Sequence, residues 1–366
     1  MNLLTAENLS KSYNTDKILF DNVSLGINEG DKIGLIGING TGKSTLLKIL
    51  AGEEEADSGK LTKGNAVRIA YLPQNPEFDE GESVISEVIK GKKAKNEFWD
   101  IEGEARSLLA KFEIEDVEAK VGTLSGGQKK RAALVRTLLD DAEILILDEP
   151  TNHLDTAMSE WLEDYLKKMK QALLIITHDR YFLDQVTNKI VELTHGKLYS
   201  YVGGYLKYLE LKAEREEMEI ATERKNAAIF KKDLAWMMRG ARARSTKQKA
   251  HIERFEELKN RDKIVVDKEI VVDSVSSRLG KQIIEIENIS KAYGDKTLFT
   301  DFTYLFRRID RIGIIGKNGS GKSTLLKTIL GEVAPDSGNI IIGQTAKIGY
   351  FSQDSGELDP SQTVIE

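Results

Sequence analysis

Residues 37–44 read "GINGTGKS" and residues 316–323 read "GKNGSGKS", one eight-residue pattern written twice. No other feature limits so sharply what this chain can fold into. Glycines at these spacings let a loop turn its N–H groups onto a phosphate, and the lysine adds a cation. Each copy follows a short apolar run, "KIGLI" or "RIGII", and precedes an apolar helical run, "TLLKIL" or "TLLKTI". That order predicts strand, loop and helix, with the positive end of the helix at the phosphates. One nucleotide cradle would then comprise Gly37, Asn39, Gly40, Thr41, Gly42, Lys43, Ser44 and Thr45. The second would comprise Gly316, Asn318, Gly319, Ser320, Gly321, Lys322, Ser323 and Thr324. Lys43 and Lys322 are expected to reach the β- and γ-phosphates of ATP, and Ser44 and Ser323 to ligate Mg²⁺.

The repetition extends well beyond the loops. "NLSKSYNTDKILFDNVSL" is echoed by "NISKAYGDKTLFTDFTYL" from Asn288, and "IAYLPQ" by "IGYFSQ". The period is too long for a solenoid, so a whole domain is duplicated. A chain of 366 residues is in any case too long for one ordinary core. The second copy stops at Glu366, soon after "YFSQ", and the chain reads as a fragment of a two-domain protein. The expected division is 1–204, a linker over 205–280, and the N-terminal part of the second copy over 281–366.

"AEILILDEP" adds the metal and water chemistry. Ile144 to Leu147 form a buried parallel strand, and Asp148 and Glu149 emerge at its carboxyl end, where α/β sheets place ligands. Asp148 suits the metal side; Glu149 can polarise a water against the γ-phosphate. "TLSGGQKKRAALVRTLL" places Ser125, Gly126, Gly127 and Gln128 at the opening of a basic amphipathic helix, whose free N–H groups suit an anion.

Together with "LDEPTNHLD", this segment resembles the signature of ABC ATPases, and the resemblance implies an α/β fold of tandem ABC-type P-loop cassettes, the second incomplete. In that family the signature contacts the γ-phosphate held by the other cassette. The resemblance also makes Tyr13 and Tyr293 adenine-stacking aromatics and Gln74 and Gln353 residues near Mg²⁺ and the attacking water. It makes Asp155 the D-loop acid and His178, in "IITHDR", the γ-phosphate switch. Because each site draws on both cassettes, the chain as given is expected to bind nucleotide yet hydrolyse little.

The segment between the copies narrows the resemblance. From about Tyr205 it is dense in Glu, Lys, Ala and Leu and free of proline, so it should be helical, turning at "RGARAR" into a second helix. Such a hairpin would reach about 50 Å from the cassettes. Its tip holds Arg239, Arg242, Arg244, Lys247 and Lys249 without an acid, on a chain of net charge −6. Clustered cations of that kind suit RNA phosphates. The linker and "EPTNHLD" resemble ABC-F translation factors, the Uup-like bacterial branch above all. That resemblance implies a cytoplasmic ATPase acting at the ribosomal E site, its linker directed at rRNA and P-site tRNA. About fifty residues separate Gln74 from Leu124, too few for the long arm of many ABC-F members.

Two other functions remain compatible with these motifs: the ATPase subunit of a transporter, and a DNA-binding ABC ATPase. No apolar run approaches the roughly 20 residues needed to span a bilayer. With no cysteine, the chain can have neither disulfides nor a thiolate metal site.

Overall fold

The computed structural model describes residues 1–14, 17–92, 100–238, 256, 283–294, 296–343 and 346–351. The chain divides into two compact units, Met1–Lys268 and Glu269–Glu366.

The first unit has two sheets. In one, β1 (Asn2–Asn14) pairs antiparallel with β2 (Lys17–Asn28) and with β4 (Ser58–Lys63). The other runs in the order β5 (Ile69–Leu72), β6 (Ile144–Asp148), β7 (Ala172–Ile176), β3 (Lys32–Ile36), β8 (Lys189–Thr194), β9 (Lys197–Val202). Its pairs are parallel except for the β8–β9 hairpin. Both faces of this sheet are covered, which is why β6 and β7 are unbroken apolar runs buried at every residue.

The twofold alternation of β6 divides it between two cores. Ile144 and Ile146 face β1, β2 and helix α1 (Lys43–Ala51), in a cluster with Leu4, Phe20 and Leu46. Leu145 and Leu147 face the opposite way, toward α2 (Val84–Ile89), α3 (Ile101–Lys111), α4 (Gly126–Leu138) and α5 (Thr156–Lys168). α6 (Arg180–Val186) packs its Phe182 and Leu183 into this second core. α7 (Tyr205–Met238) continues for 34 residues from the end of β9, about 50 Å at 1.5 Å per residue. None of the described helices is long and apolar enough to cross a membrane. Arg239, Arg242, Arg244, Lys247, Lys249 and Gln353 lie outside the described residues.

The second unit repeats the antiparallel sheet: β11 (Lys296–Phe306), β10 (Ile284–Tyr293) and β12 (Ser337–Ile342) lie in the order β11-β10-β12. Both copies break the ladder at the same point, between Glu7 and Ser10 on β1 and between Glu287 and Ser290 on β10. Helix α8 (Lys322–Leu330) repeats α1. One expectation fails here. "RIGII" forms no strand, and Ile312, Ile314 and Ile315 are 47%, 43% and 88% exposed, whereas Ile33 and Leu35 of β3 are fully buried. The difference is one of partners. β3 lies between β7 and β8, and the described residues of the second unit hold no counterpart of either, so this segment has no strand neighbour among them.

Candidate nucleotide site

β3 delivers the phosphate loop to the carboxyl end of the parallel sheet, and two glycines fix its path. Gly37 has φ +157°, and a Cβ there would lie 2.4 Å from the Leu193 carbonyl oxygen on β8. Gly42, the N-cap of α1, has φ +97°, and its Cβ would lie 2.9 Å from that of Leu19. A Cβ at Gly40 would meet nothing within 4 Å, and the Thr41 hydroxyl donates to the Ile38 carbonyl. Lys43 is 9% exposed and curls back so that Nζ donates to the carbonyls of Gly37 and Ile38 at 2.8 and 3.1 Å, with Asn39 Oδ1 at 3.5 Å. Burial pushes its pKa down, against the opposing pull of Glu149 and Asp148. The Tyr13 hydroxyl lies 3.1 Å from Thr45 Oγ1, and the ring is 57% exposed beside the loop.

Asp148 closes β6 opposite Ile176 of β7. It is 3% exposed; Ser44 hydrogen-bonds to it, yet its Oδ2 has no hydrogen-bond partner. Burial raises its pKa more than Ser44 and Lys43 lower it. A buried carboxylate oxygen left over beside a serine hydroxyl is an all-oxygen donor set that fits Mg²⁺. Glu149 turns out of the strand with φ +54°, its N–H donating to the Ile176 carbonyl at 2.9 Å. Its Oε1 stands 3.4 Å from Nε2 of His178. Burial pushes the Glu149 carboxyl up, with His178 working in the opposite sense. The Thr151 and Thr177 hydroxyls, 2.7 Å apart, tie the loops after β6 and β7 together. Gln74 lines one small cavity with Asp148 and Glu149, and Lys130 and Arg131 of α4 share that wall.

Ser125 caps α4 reciprocally: the Gln128 N–H donates to Ser125 Oγ at 3.3 Å and the Ser125 N–H to Gln128 Oε1 at 2.9 Å. Gly126 and Gly127 open the helix. None of Ser125, Gly126, Gly127 and Gln128 lines the cavities at Lys43 or Asp148, so the first unit does not bring its signature to its own phosphate loop. Asp155 caps α5, accepting from the Met158 N–H at 2.9 Å.

In the second unit Lys322 repeats the curl of Lys43, its Nζ donating to the carbonyls of Gly316 and Lys317 at 2.6 and 2.7 Å. Gly321 repeats Gly42 with φ +96°, Gly319 has φ +71°, and the Ser320 N–H donates to the Lys317 carbonyl. Ser323 and Thr324 follow in the first turn of α8, and Tyr293 is 55% exposed.

The motifs did not single out Lys130, Arg131 or Glu192. Glu192 had a signal that could have found it, a lone acid inside the apolar strand "KIVELT".

A family model described as ABC transporter matches residues 20–152 and 299–366, and a second of the same description matches 191–272. The protein described as uncharacterized ABC transporter ATP-binding protein YfmR of Bacillus subtilis (strain 168) is 44% identical over 402 residues, which cover 100% of this chain. The chain spans 64% of that relative's length. The energy-dependent translational throttle protein EttA of Mycobacterium tuberculosis (strain CDC 1551 / Oshkosh) is 35% identical over 404 residues, 100% of this chain and 72% of its own. EttA of Escherichia coli (strain K12) is 35% identical over 401 residues, 99% of this chain and 72% of its own. These alignments run through both phosphate loops and the helix between them, and the chain belongs to the ABC-F family of ATP-binding cassette ATPases.

Proposed function

We propose that this chain binds ATP with Mg²⁺, that hydrolysis draws on both cassettes so that the chain as given turns over little, and that it acts in the cytoplasm on the ribosome during translation, at the E site beside P-site tRNA. The observation that carries this reading is the likeness, along essentially the whole chain, to proteins named energy-dependent translational throttles. The acid-free basic stretch from Arg239 to Lys249 supports it, because RNA phosphates reward clustered arginine and lysine.

The site supplies the chemistry. Lys43 leaves the Gly37 and Ile38 carbonyls to neutralise phosphate oxygens, and the loop N–H groups bind the rest. Ser44 and Asp148 would hold Mg²⁺, with Gln74 on the adjoining wall; the ion, when bound, offsets the charge that develops on the phosphates. Glu149 accepts or orients the proton of the attacking water, and its burial-raised pKa makes it a stronger base than an exposed glutamate. His178, 3.4 Å from Glu149, presents its imidazole to the γ-phosphate side. Tyr13 offers an exposed ring for the adenine face. In the second unit Lys322, Ser323 and Tyr293 take the corresponding roles.

Co-sedimentation with ribosomes tests the reading. The Glu149→Gln protein should pellet with ribosomes when ATP is present, and substituting Arg239, Arg242 and Arg244 together with glutamine should release it. Retention on membranes or on DNA, with no ribosome binding, would instead favour a transporter subunit or a DNA-directed ATPase.

A further inference from the structure

Strand β8 buries an acid that the nucleotide chemistry does not use. Glu192 is 3% exposed and stands directly opposite Ile36, the last residue of β3 before the phosphate loop. Its carboxylate accepts from the Tyr201 and Tyr208 hydroxyls at 3.2 and 3.1 Å and from Lys212 Nζ at 2.6 Å. The Arg215 guanidinium adds an ion pair at 3.2 Å and lies over the Tyr199 ring, 3.9 Å from its centroid. Tyr208, Lys212 and Arg215 all belong to α7. Burial disfavours the Lys212 ammonium, but the hydrogen bond and charge of Glu192 outweigh it and hold its pKa above the ordinary lysine value. Apolar side chains of similar volume would fasten the helix at least as firmly as a buried carboxylate with two cations. What the cluster adds is direction: its hydrogen bonds and ion pair define which residues of α7 lie against β8.

A second connection runs from the same side of the site. α6 begins at Arg180, two residues after His178, and the Arg180 guanidinium sits 5.9 Å from the centre of the Tyr205 ring, the first residue of α7. Asp184 of α6 accepts from the Leu206 N–H at 2.9 Å. The two connections meet at one cavity of about 250 Å³, whose lining includes Gly37, Lys43 and His178 together with Glu192, Tyr208 and Lys212.

We propose that Glu192 is a positioning residue that couples the orientation of α7 to the phosphate loop. A phosphate that draws Lys43 off the Gly37 and Ile38 carbonyls and engages His178 shifts the ends of β3 and α6 together. α7 is gripped by β8 through Glu192 and by α6 through Arg180 and Asp184, so it turns with them. Over a length of about 50 Å, each degree of tilt at the root displaces the far end by about 0.9 Å. The inference rests on the reading of the first unit as a nucleotide-binding cassette.

The chain contains no cysteine, so nitroxides attached at Lys60→Cys on β4 and Lys231→Cys on α7 report a single distance by pulsed electron resonance. A fluorescent ATP analogue measures binding separately. With a non-hydrolysable ATP analogue and Mg²⁺, the distance in the otherwise unvaried chain should shift by several ångströms, on the order of a 5° tilt. Glu192→Gln should bind the analogue within about twofold of the parent and lose the shift. Lys212→Met, which keeps the apolar stem, should lose it too and replaces Glu192→Gln if circular dichroism shows that variant unfolded. A shift retained in these variants, or absent in the parent while the analogue is bound, overturns the coupling. Absence of analogue binding in the parent would sink the cassette reading itself and the coupling with it.

Discussion

Asp148→Asn removes a charge from a position where burial disfavours one. The carboxylate is 3% exposed, and its Oδ2 is without a hydrogen-bond partner. Burial is the largest influence on its pKa and raises it, against Ser44 and Lys43. A folded-state pKa above the unfolded value means that folding favours the protonated form. The stabilising contribution is then complete below the unfolded pKa of about 3.9 and is lost as pH rises through the folded value. The disadvantage of the wild type therefore grows as pH rises from the unfolded value through the folded one. Asparagine keeps an oxygen that can accept from Ser44 and has no charge to desolvate. Its NH2 group takes the unpaired place of Oδ2, so what the variant recovers is the cost of burying the charge alone, on the order of 1–2 kcal/mol. For a unit of this size each kcal/mol moves the melting temperature by about 2–4 °C, so a rise of roughly 2–8 °C is expected without nucleotide. Thermal unfolding followed by circular dichroism from about pH 4 to about pH 8 measures it, and the gap between variant and wild type should widen as pH rises above the unfolded value of about 3.9. Saturating Mg²⁺ and ATP should reverse the order. Ligand at 100 times its Kd stabilises the wild type by about 2.7 kcal/mol, while the variant lacks the metal's share. A variant no more stable than wild type at pH 7 without nucleotide, or with an unchanged pH profile, would refute the reasoning.

Three further perturbations address other parts of the site. In the presence of ribosomes, Glu149→Gln should abolish the residual ATP turnover of the chain while nucleotide affinity is retained, measured as phosphate release alongside fluorescent-analogue binding. Ser125→Ala breaks the reciprocal cap of α4 and should cost about 1 kcal/mol, visible as faster amide exchange over the first turn of that helix. Gly37→Ala would set a Cβ 2.4 Å from the Leu193 carbonyl oxygen, and overpacking of that kind costs about 1–3 kcal/mol; a lower melting temperature together with lost nucleotide binding is expected.

What could be read from the sequence was whatever a short stretch of chain decides for itself. The spacing of glycines around Lys43 and Lys322 fixes a loop, and the structure shows the same lysine curl in both copies. Ile144 to Leu147 is apolar at every position, and β6 is buried at every position. Ser125 with Gln128 three residues on is a helix opening, and both halves of the cap are made. What could not be read depends on distant partners. "RIGII" has the same local pattern as "KIGLI", but a parallel strand forms only between neighbours, and only β3 has them. The left-handed φ of Glu149, which turns its carboxylate toward His178, follows from the way the loop leaves β6, not from residue type. The hold of Glu192 on Lys212 and Arg215 spans 20 residues or more, with a hairpin between them, and no periodicity within β8 announces it.

The break in register at the same point of β1 and β10 carries a consequence for how the chain reaches its native state. A bulge fixes which residues oppose one another, so β4 fits the ladder of β10 nearly as well as that of β1, and β12 fits either. Register alone therefore does not tell the third strands of the two copies apart while the chain folds. Ala6 lies opposite Leu61 and Ile286 opposite Ile340, and leucine and isoleucine have equal volumes, so bulk at this pair does not separate a native ladder from a crossed one.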